Sequence, residues 1–167
     1  MTNGDQQTDQ MTATYPSRRI ANDVEPGHLV IQVGDAATVF LKAEKEGKEF
    51  VHHYLLPLQP CPSPADCGLI HLDPDDLLID LGPGWIIVPD DAGAAGTAAV
   101  GDLFETAAGL FLKINDTEKS QRQHTYLEVA SGMVRRRQER GVIAVFGRWR
   151  VDGPMDLAAA LAAATAV

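Results

Sequence analysis

Short apolar runs rich in β-forming residues, separated by Gly, Pro and charged turn signals, recur along most of this chain and predict β-strands. Residues 28–33 (His-Leu-Val-Ile-Gln-Val) form the first such run, closed by the turn pair Gly34-Asp35. Residues 38–43 form the second and are rich in β-formers. The charged stretch 44–49, with Gly47 inside it, predicts a hairpin turn, and residues 50–56 predict the return strand. Four prolines in residues 57–68 predict a stiff loop that cannot enter a sheet interior. Short strands are expected around residues 69–72 and 85–88.

Between those two strands the signals change. Asp73 precedes Pro74, Asp75 and Asp76, which reads as an N-cap, a proline at the first helical position and two carboxylates facing the helix dipole. With Leu77, Leu78 and Leu81 as its apolar side, a short helix is predicted over 73–81, ended by Gly82-Pro83-Gly84.

The second half repeats the logic of the first. Strands are expected over 98–104 (interrupted at Gly101-Asp102), 109–114 and 124–129, with a polar turn at 115–123. The longest strand is predicted over 142–151. Residues 154–167 are alanine-rich, with Leu157 and Leu161 one turn apart, and predict a C-terminal helix that needs a docking surface. Residues 1–26 are polar, too poor in large apolar groups to offset their ordering entropy by burial, and read as an extended N-terminal arm.

An internal repeat underlies this symmetry. Phe40-Leu41-Lys42 matches Phe111-Leu112-Lys113 at a separation of 71 positions, and His53 with His124 and Leu56 with Leu127 fall at the same separation. A slip of one residue also brings Tyr54 onto Tyr126, and Val-Gly-Asp occurs before each Phe-Leu-Lys, at 33–35 and 100–102. The expected architecture is therefore mainly β: two related hairpin modules forming a small barrel or sandwich. The modules run over 27–97 and 98–153, followed by the helix of 154–167.

Composition bounds this picture without filling it. At 167 residues the chain is long enough to fold without metal or disulfide staples. No apolar run approaches the ~20 residues of a membrane helix, and the N-terminus lacks the cationic start and apolar core of a secretion signal. A soluble protein of the cytoplasm, or of a particle assembled there, is expected. Cys61 and Cys67 stand six residues apart; without a secretion signal, two reduced thiols are favoured over a local disulfide.

The net charge of −9 is unevenly spread. Residues 50–112 hold no Lys or Arg, while Arg135, Arg136, Arg137, Arg140, Arg148 and Arg150 fall within sixteen residues. Such a division predicts internal pairing or complementary contact with other protein subunits, and these arginines are the candidate contact residues. The overall acidity, and the splitting of Arg136 from its neighbours by strand alternation, make nucleic acid an unfavoured partner.

Catalytic signatures do not emerge. There is no Gly-x-Ser-x-Gly and no phosphate-binding glycine loop, and the aspartates at 73–76 lack the rest of a calcium loop. His52 and His53 face opposite sides of a strand and cannot share a metal. Cys61, Cys67 and His71 are weak metal candidates, since structural zinc sites use closer cysteine pairs. No cofactor and no catalytic residue is assigned.

The run Gly101-Asp102-Leu103-Phe104, then residues 109–114, 124–127 and Gly132-Met133-Val134, resembles the small β-modules of structural and accessory proteins in tailed-phage particles. These include head decorations, spikes and tail attachments. The resemblance covers residues 98–151 and, more weakly, 28–58. It implies a non-enzymatic virion component, or a homo-oligomer, anchored by its arm or terminal helix. Two alternatives stand beside it: a small ligand-binding β-domain with an apolar pocket lined by Trp85, Phe111 and Tyr126, and a metal-dependent hydrolase.

Overall fold

The computed structural model describes residues 14–59, 67–115, 124–137 and 140–167. Among the described residues the regular structure is thirteen strands, one α-helix and a 3-10 turn at Ala21–Asp23, so the mainly β expectation holds. In chain order the strands are β1 (Ser17–Ile20), β2 (Leu29–Gln32), β3 (Asp35–Glu46), β4 (Val51–Gln59), β5 (Ile70–Leu72), β6 (Leu77–Asp80) and β7 (Ile86–Pro89). They continue as β8 (Leu103–Thr106), β9 (Gly109–Ile114), β10 (His124–Glu128), β11 (Met133–Arg137), β12 (Val142–Phe146) and β13 (Trp149–Asp152). The helix α1 spans Leu157–Ala164.

The main sheet runs β1-β6-β2-β3-β11-β10-β9-β8-β12, with β4 and β5 branching from β3, and β7 pairs with β13 in a separate ribbon. Among the described residues the path ends on β1 at one side and β12 at the other. The sheets are open, and hydrogen bonding alone draws neither a closed barrel nor a sandwich.

Six consecutive strands, β2 to β7, correspond one for one to β8 to β13. Leu29↔Leu41 and Val30↔Phe40 in the first copy match Leu103↔Leu112 and Phe104↔Phe111 in the second. Leu41↔Leu56 matches Leu112↔Leu127. Tyr54↔His71 matches Thr125↔Arg136, and β6 on β2 matches β12 on β8. Across the copies, Met133 pairs in parallel with Glu44, and Gly68 pairs in parallel with Asn115, its counterpart. The backbone bonds agree: Glu44 N donates to Gly132 O, and Asn115 N to Cys67 O. Finally β7 and β13, counterparts of each other, pair directly. Each copy thus supplies strands that complete the other.

The structure realigns the repeat. Gly27 and Gly101 are equivalent: both have φ near +90°, both donate their N–H to the carbonyl of the repeated lysine (Lys42 or Lys113) at 2.8 Å, and both precede a residue whose carbonyl accepts from that lysine. Val33–Asp35 instead lies at the β2–β3 turn, so the Val-Gly-Asp match joins unlike places. Tyr126 occupies the place of Leu55 rather than Tyr54. The first copy also begins ahead of residue 27. β1 lines β6 in a four-residue ladder, so residues 17–20 are sheet and not arm; residues 1–13 lie outside the described residues.

The core follows the same symmetry. Leu29, Leu41 and Leu56 share one central cluster with Leu103, Leu112 and Leu127. Truncating any of these to alanine is expected to cost about 2–5 kcal/mol. The opposite faces build one satellite cluster each: Val24, Val30, Phe40 and Leu55 in the first copy, Ala98, Phe104, Phe111 and Tyr126 in the second. The helix α1 seats Ala160 and Ala164 on the central cluster, and Asp156 caps it by accepting from Ala159 N at 3.0 Å. That docking surface and cap answer the marginal stability of so short a helix.

Four expectations need correction. The proline-rich stretch 57–68 begins inside the sheet and not as a loop: β4 continues to Gln59, with Pro57 opposite Phe40 beside the bulge at Val39/Phe40, where a sheet tolerates proline, and Leu58 buried; residues 60–66 lie outside the described residues. Residues 73–76 form a turn, with Asp76 N on Asp73 O at 3.0 Å and Asp73 N on the Asp76 carboxylate at 2.9 Å. Pro74 suits a turn as well as a helix start, and Leu77–Asp80 continues as β6, flanked by β1 and β2. Paired on both edges, with Leu78, Ile79 and Asp80 buried in succession, the strand shows no period-two alternation, which is why its leucines read as helical. The predicted strand over 98–104 is a turn up to Asp102, whose N–H donates to Ala99 O and whose carboxylate accepts from Ala99 N. The long strand predicted over 142–151 breaks at Gly147-Arg148 and divides between the two sheets.

Candidate interaction site

The arginines do not gather into one patch. Arg135, Arg136 and Arg137 lie on β11, Arg140 precedes β12, Arg148 separates β12 from β13, and Arg150 lies on β13. The side chain of Arg137 lies outside the described residues. Arg150 is held by its own chain: it donates to Asp90 at 2.8 Å and to both oxygens of Asp152 at 3.0 and 3.1 Å. Asp152 first, then Asp90, raise its already high pKa. Asp91 accepts from the Arg148 backbone N–H at 3.0 Å. Arg135 reaches Glu128 at 3.5 Å. The acidic middle and the basic end therefore meet at the β7–β13 ribbon through one exposed ion pair, Asp90 with Arg150, and such a pair is worth little.

A row of aromatic rings is better placed for contact. Phe50, His52 and Tyr54 alternate along β4 and its entrance, and His71 faces Tyr54 from β5. Successive ring centroids lie 4.8, 6.4 and 5.7 Å apart. Phe50 is 65% exposed and His71 is exposed as well. Alternation makes this face readable from sequence, though the partner ring on β5 is not.

Two buried polar clusters lie behind these surfaces. Lys42, wholly buried, donates to Glu44 at 2.7 Å and to Val24 O at 3.3 Å, and stands 3.0 Å from His53 Nδ1. Burial lowers the Lys42 pKa against the opposing pull of Glu44, and burial followed by the Lys42 charge lowers that of His53. Lys113, its counterpart, donates to Ala98 O at 2.6 Å, which is the place of Val24. The second cluster centres on Asp80, fully buried, which meets His28 Nδ1 at 3.0 Å, accepts from Gly82 N at 2.8 Å and lies 3.7 Å from Arg19. Tyr15 lies edge-on to His28, and Arg19 stacks over the Tyr15 ring.

His28 opens onto a cleft of about 490 Å³ between the two copies, walled by Trp85, Ile86, Ile87, Leu110 and Val129. This is not the pocket foreseen from sequence. Phe111 and Tyr126 pack around Phe104 in a satellite core, at 5.5 and 4.9 Å between centroids, away from the cluster that holds Trp85. Sequence reasoning missed both the cleft and the His28–Asp80 pair, whose members lie 52 positions apart. It also missed the equivalence of Trp85 and Trp149, which the exchange of β7 and β13 makes plain.

Of the weak metal candidates, Cys67 is buried in the central core, His71 belongs to the aromatic row, and Cys61 lies outside the described residues. Among the described residues no three His, Cys, Asp or Glu side chains come together as a metal site, and no helix is long and apolar enough to cross a membrane. Comparison of the chain with protein-family models, with curated proteins and with solved structures finds no match.

Proposed function

We propose that this chain is a non-catalytic assembly protein that docks on other protein subunits, either further copies of itself or components of a phage-like particle. The observation that carries this reading is the ring row Phe50–His52–Tyr54–His71, exposed at Phe50 and His71 and half-buried at His52 and Tyr54, a stripe of large amphipathic side chains at the sheet surface. Aromatic side chains dominate protein contacts because they bury much area at little conformational cost. The interlocked scaffold supports the same reading, since it holds His52, Tyr54 and His71 on strands, with Phe50 in the turn that enters β4. The resemblance of residues 98–151 to particle β-modules supports a partner of that class and, with it, a location in the virion or the cytoplasm of the producing cell.

The test is sedimentation velocity of the full chain over a concentration series, alone and with the subunits that co-purify from its source. A defined oligomer or a stoichiometric complex is expected. Phe50→Glu should weaken it by about thirtyfold or more, as loss of an interface hot spot does, with the melting temperature nearly unchanged. A strictly monomeric chain that binds no particle component overturns the proposal.

A further inference from the structure

The two copies differ sharply in one place. In the second copy the Trp149 indole N–H donates to Gly101 O at 2.9 Å. Gly27 is the counterpart of Gly101, and Trp85 of Trp149. Trp85 turns elsewhere: its N–H points to Leu81 O at 3.4 Å, and its ring is buried beside Gly153. The cleft of about 490 Å³ therefore lies along Gly27 and His28, with Trp85 as a wall rather than a plug. That volume falls in the ~300–1,000 Å³ range of side-chain-sized and small-ligand sites.

The carboxylate behind the His28 wall is also peculiar to this copy. Asp80, wholly buried, corresponds to Val145, and His28 corresponds to Asp102. The scaffold thus accepts an apolar residue where the first copy keeps a buried carboxylate. Asp80 fixes His28 through Nδ1, which orients the imidazole at the cleft. Desolvating a carboxylate is costly, and the second copy shows that the fold does not require it.

We infer that the cleft receives a tryptophan side chain of a partner polypeptide, its indole N–H donating to the Gly27 carbonyl as Trp149 does to Gly101. The ring lies against Trp85, Leu110 and Val129, and His28 forms the polar wall. This rests on the reading that the chain docks on other proteins and names one anchor of that contact, separate from the ring row.

The experiment is titration of the ¹⁵N-labelled full chain with N-acetyl-L-tryptophanamide. Saturable shifts are expected at Gly27, Ile86, Ala130 and the Trp85 indole N–H, with a Kd in roughly the millimolar range for so small a probe. N-acetyl-L-phenylalaninamide, which has the ring without the N–H, should bind about fivefold more weakly or worse. Ala130→Trp, at an exposed lining position, should fill the cleft and abolish the shifts. Ile86→Asp, at a position 54% exposed, should weaken them without disturbing the core. Absence of saturable shifts, shifts scattered outside the lining, or binding untouched by both variants overturns the inference. If the cleft fails this test while the chain still associates through Phe50, the docking proposal stands and the anchor does not. Probe binding by a chain that associates with nothing overturns both.

Discussion

Lys42 sits on a strand between apolar neighbours, and its buried side chain is met by three partners, one two residues on along the same strand and two from other segments. Glu44 supplies charge, Val24 a carbonyl and His53 a ring nitrogen. Lys42→Met would leave the Glu44 carboxylate, only 16% exposed, without its cation. We expect a loss of about 2–4 kcal/mol in urea denaturation, partly recovered in Lys42→Met/Glu44→Gln. His53 sets the pH dependence of the same cluster. Burial first, and then the Lys42 charge, hold its folded pKa below the ordinary 6.5, while Glu44 opposes them. Below that value the unfolded chain binds the proton that the folded chain refuses, so stability is full above pH 6.5 and falls with acidification until the folded imidazole protonates. Unfolding free energies at about pH 7.5 and about pH 5.5 should differ more for the wild type than for His53→Gln. The repeated Phe-Leu-Lys was legible as a pattern, and so was a strand. The burial of the two lysines was not, because nothing local to either motif reveals that the turn at 24–28 comes to rest over Lys42 and the turn at 98–102 over Lys113.

At the scale of elements, turns decide what the strands can do. Gly132, with φ +67°, ends the β10–β11 turn against the backbone of Pro26 and Gly27, where a Cβ would collide with main-chain atoms. Gly34, with φ +91°, turns between β2 and β3, and a Cβ added there would meet nothing within 4 Å. Gly34→Ala should therefore cost only the left-handed penalty of about 1–2 kcal/mol. Gly132→Ala should cost more, about 3 kcal/mol or above, since the backbone itself must move. Thermal melts of the two variants test the difference. Short elements rich in β-formers and bounded by turn signals were readable in advance: residues 109–114 are β9 to the residue. Elements whose identity depends on neighbours were not. β6 is a strand because β1 and β2 flank it, although Asp73-Pro74 and the leucines that follow carry helix signals. The 142–151 run is two strands because its halves belong to different sheets.

Across the whole molecule, the repeat is real but no single separation describes it. Gly27 and Gly101 stand 74 positions apart, Leu41 and Leu112 stand 71 apart, and His71 and Arg136 stand 65 apart. The connections differ in length between the copies, so a fixed comparison catches one strand pair and produces false matches, such as Val-Gly-Asp, beside it. The physical consequence is that neither copy is a separate domain. β11 completes the sheet of the first copy at Glu44, residue 68 reaches the second at Asn115, and β7 has β13 as its ladder partner. Removing one copy would leave the other with unpaired strand edges and half of the central leucine cluster exposed. The chain should then unfold in one cooperative step rather than module by module. Two single-tryptophan variants separate these outcomes, because Trp85 reports on the first copy and Trp149 on the second. In Trp149→Phe and in Trp85→Phe alike, the fluorescence midpoint should coincide with that of far-ultraviolet circular dichroism in the same variant. Midpoints that part within either variant would mean that the copies fold independently and that the exchanged strands contribute little to the stability of the whole.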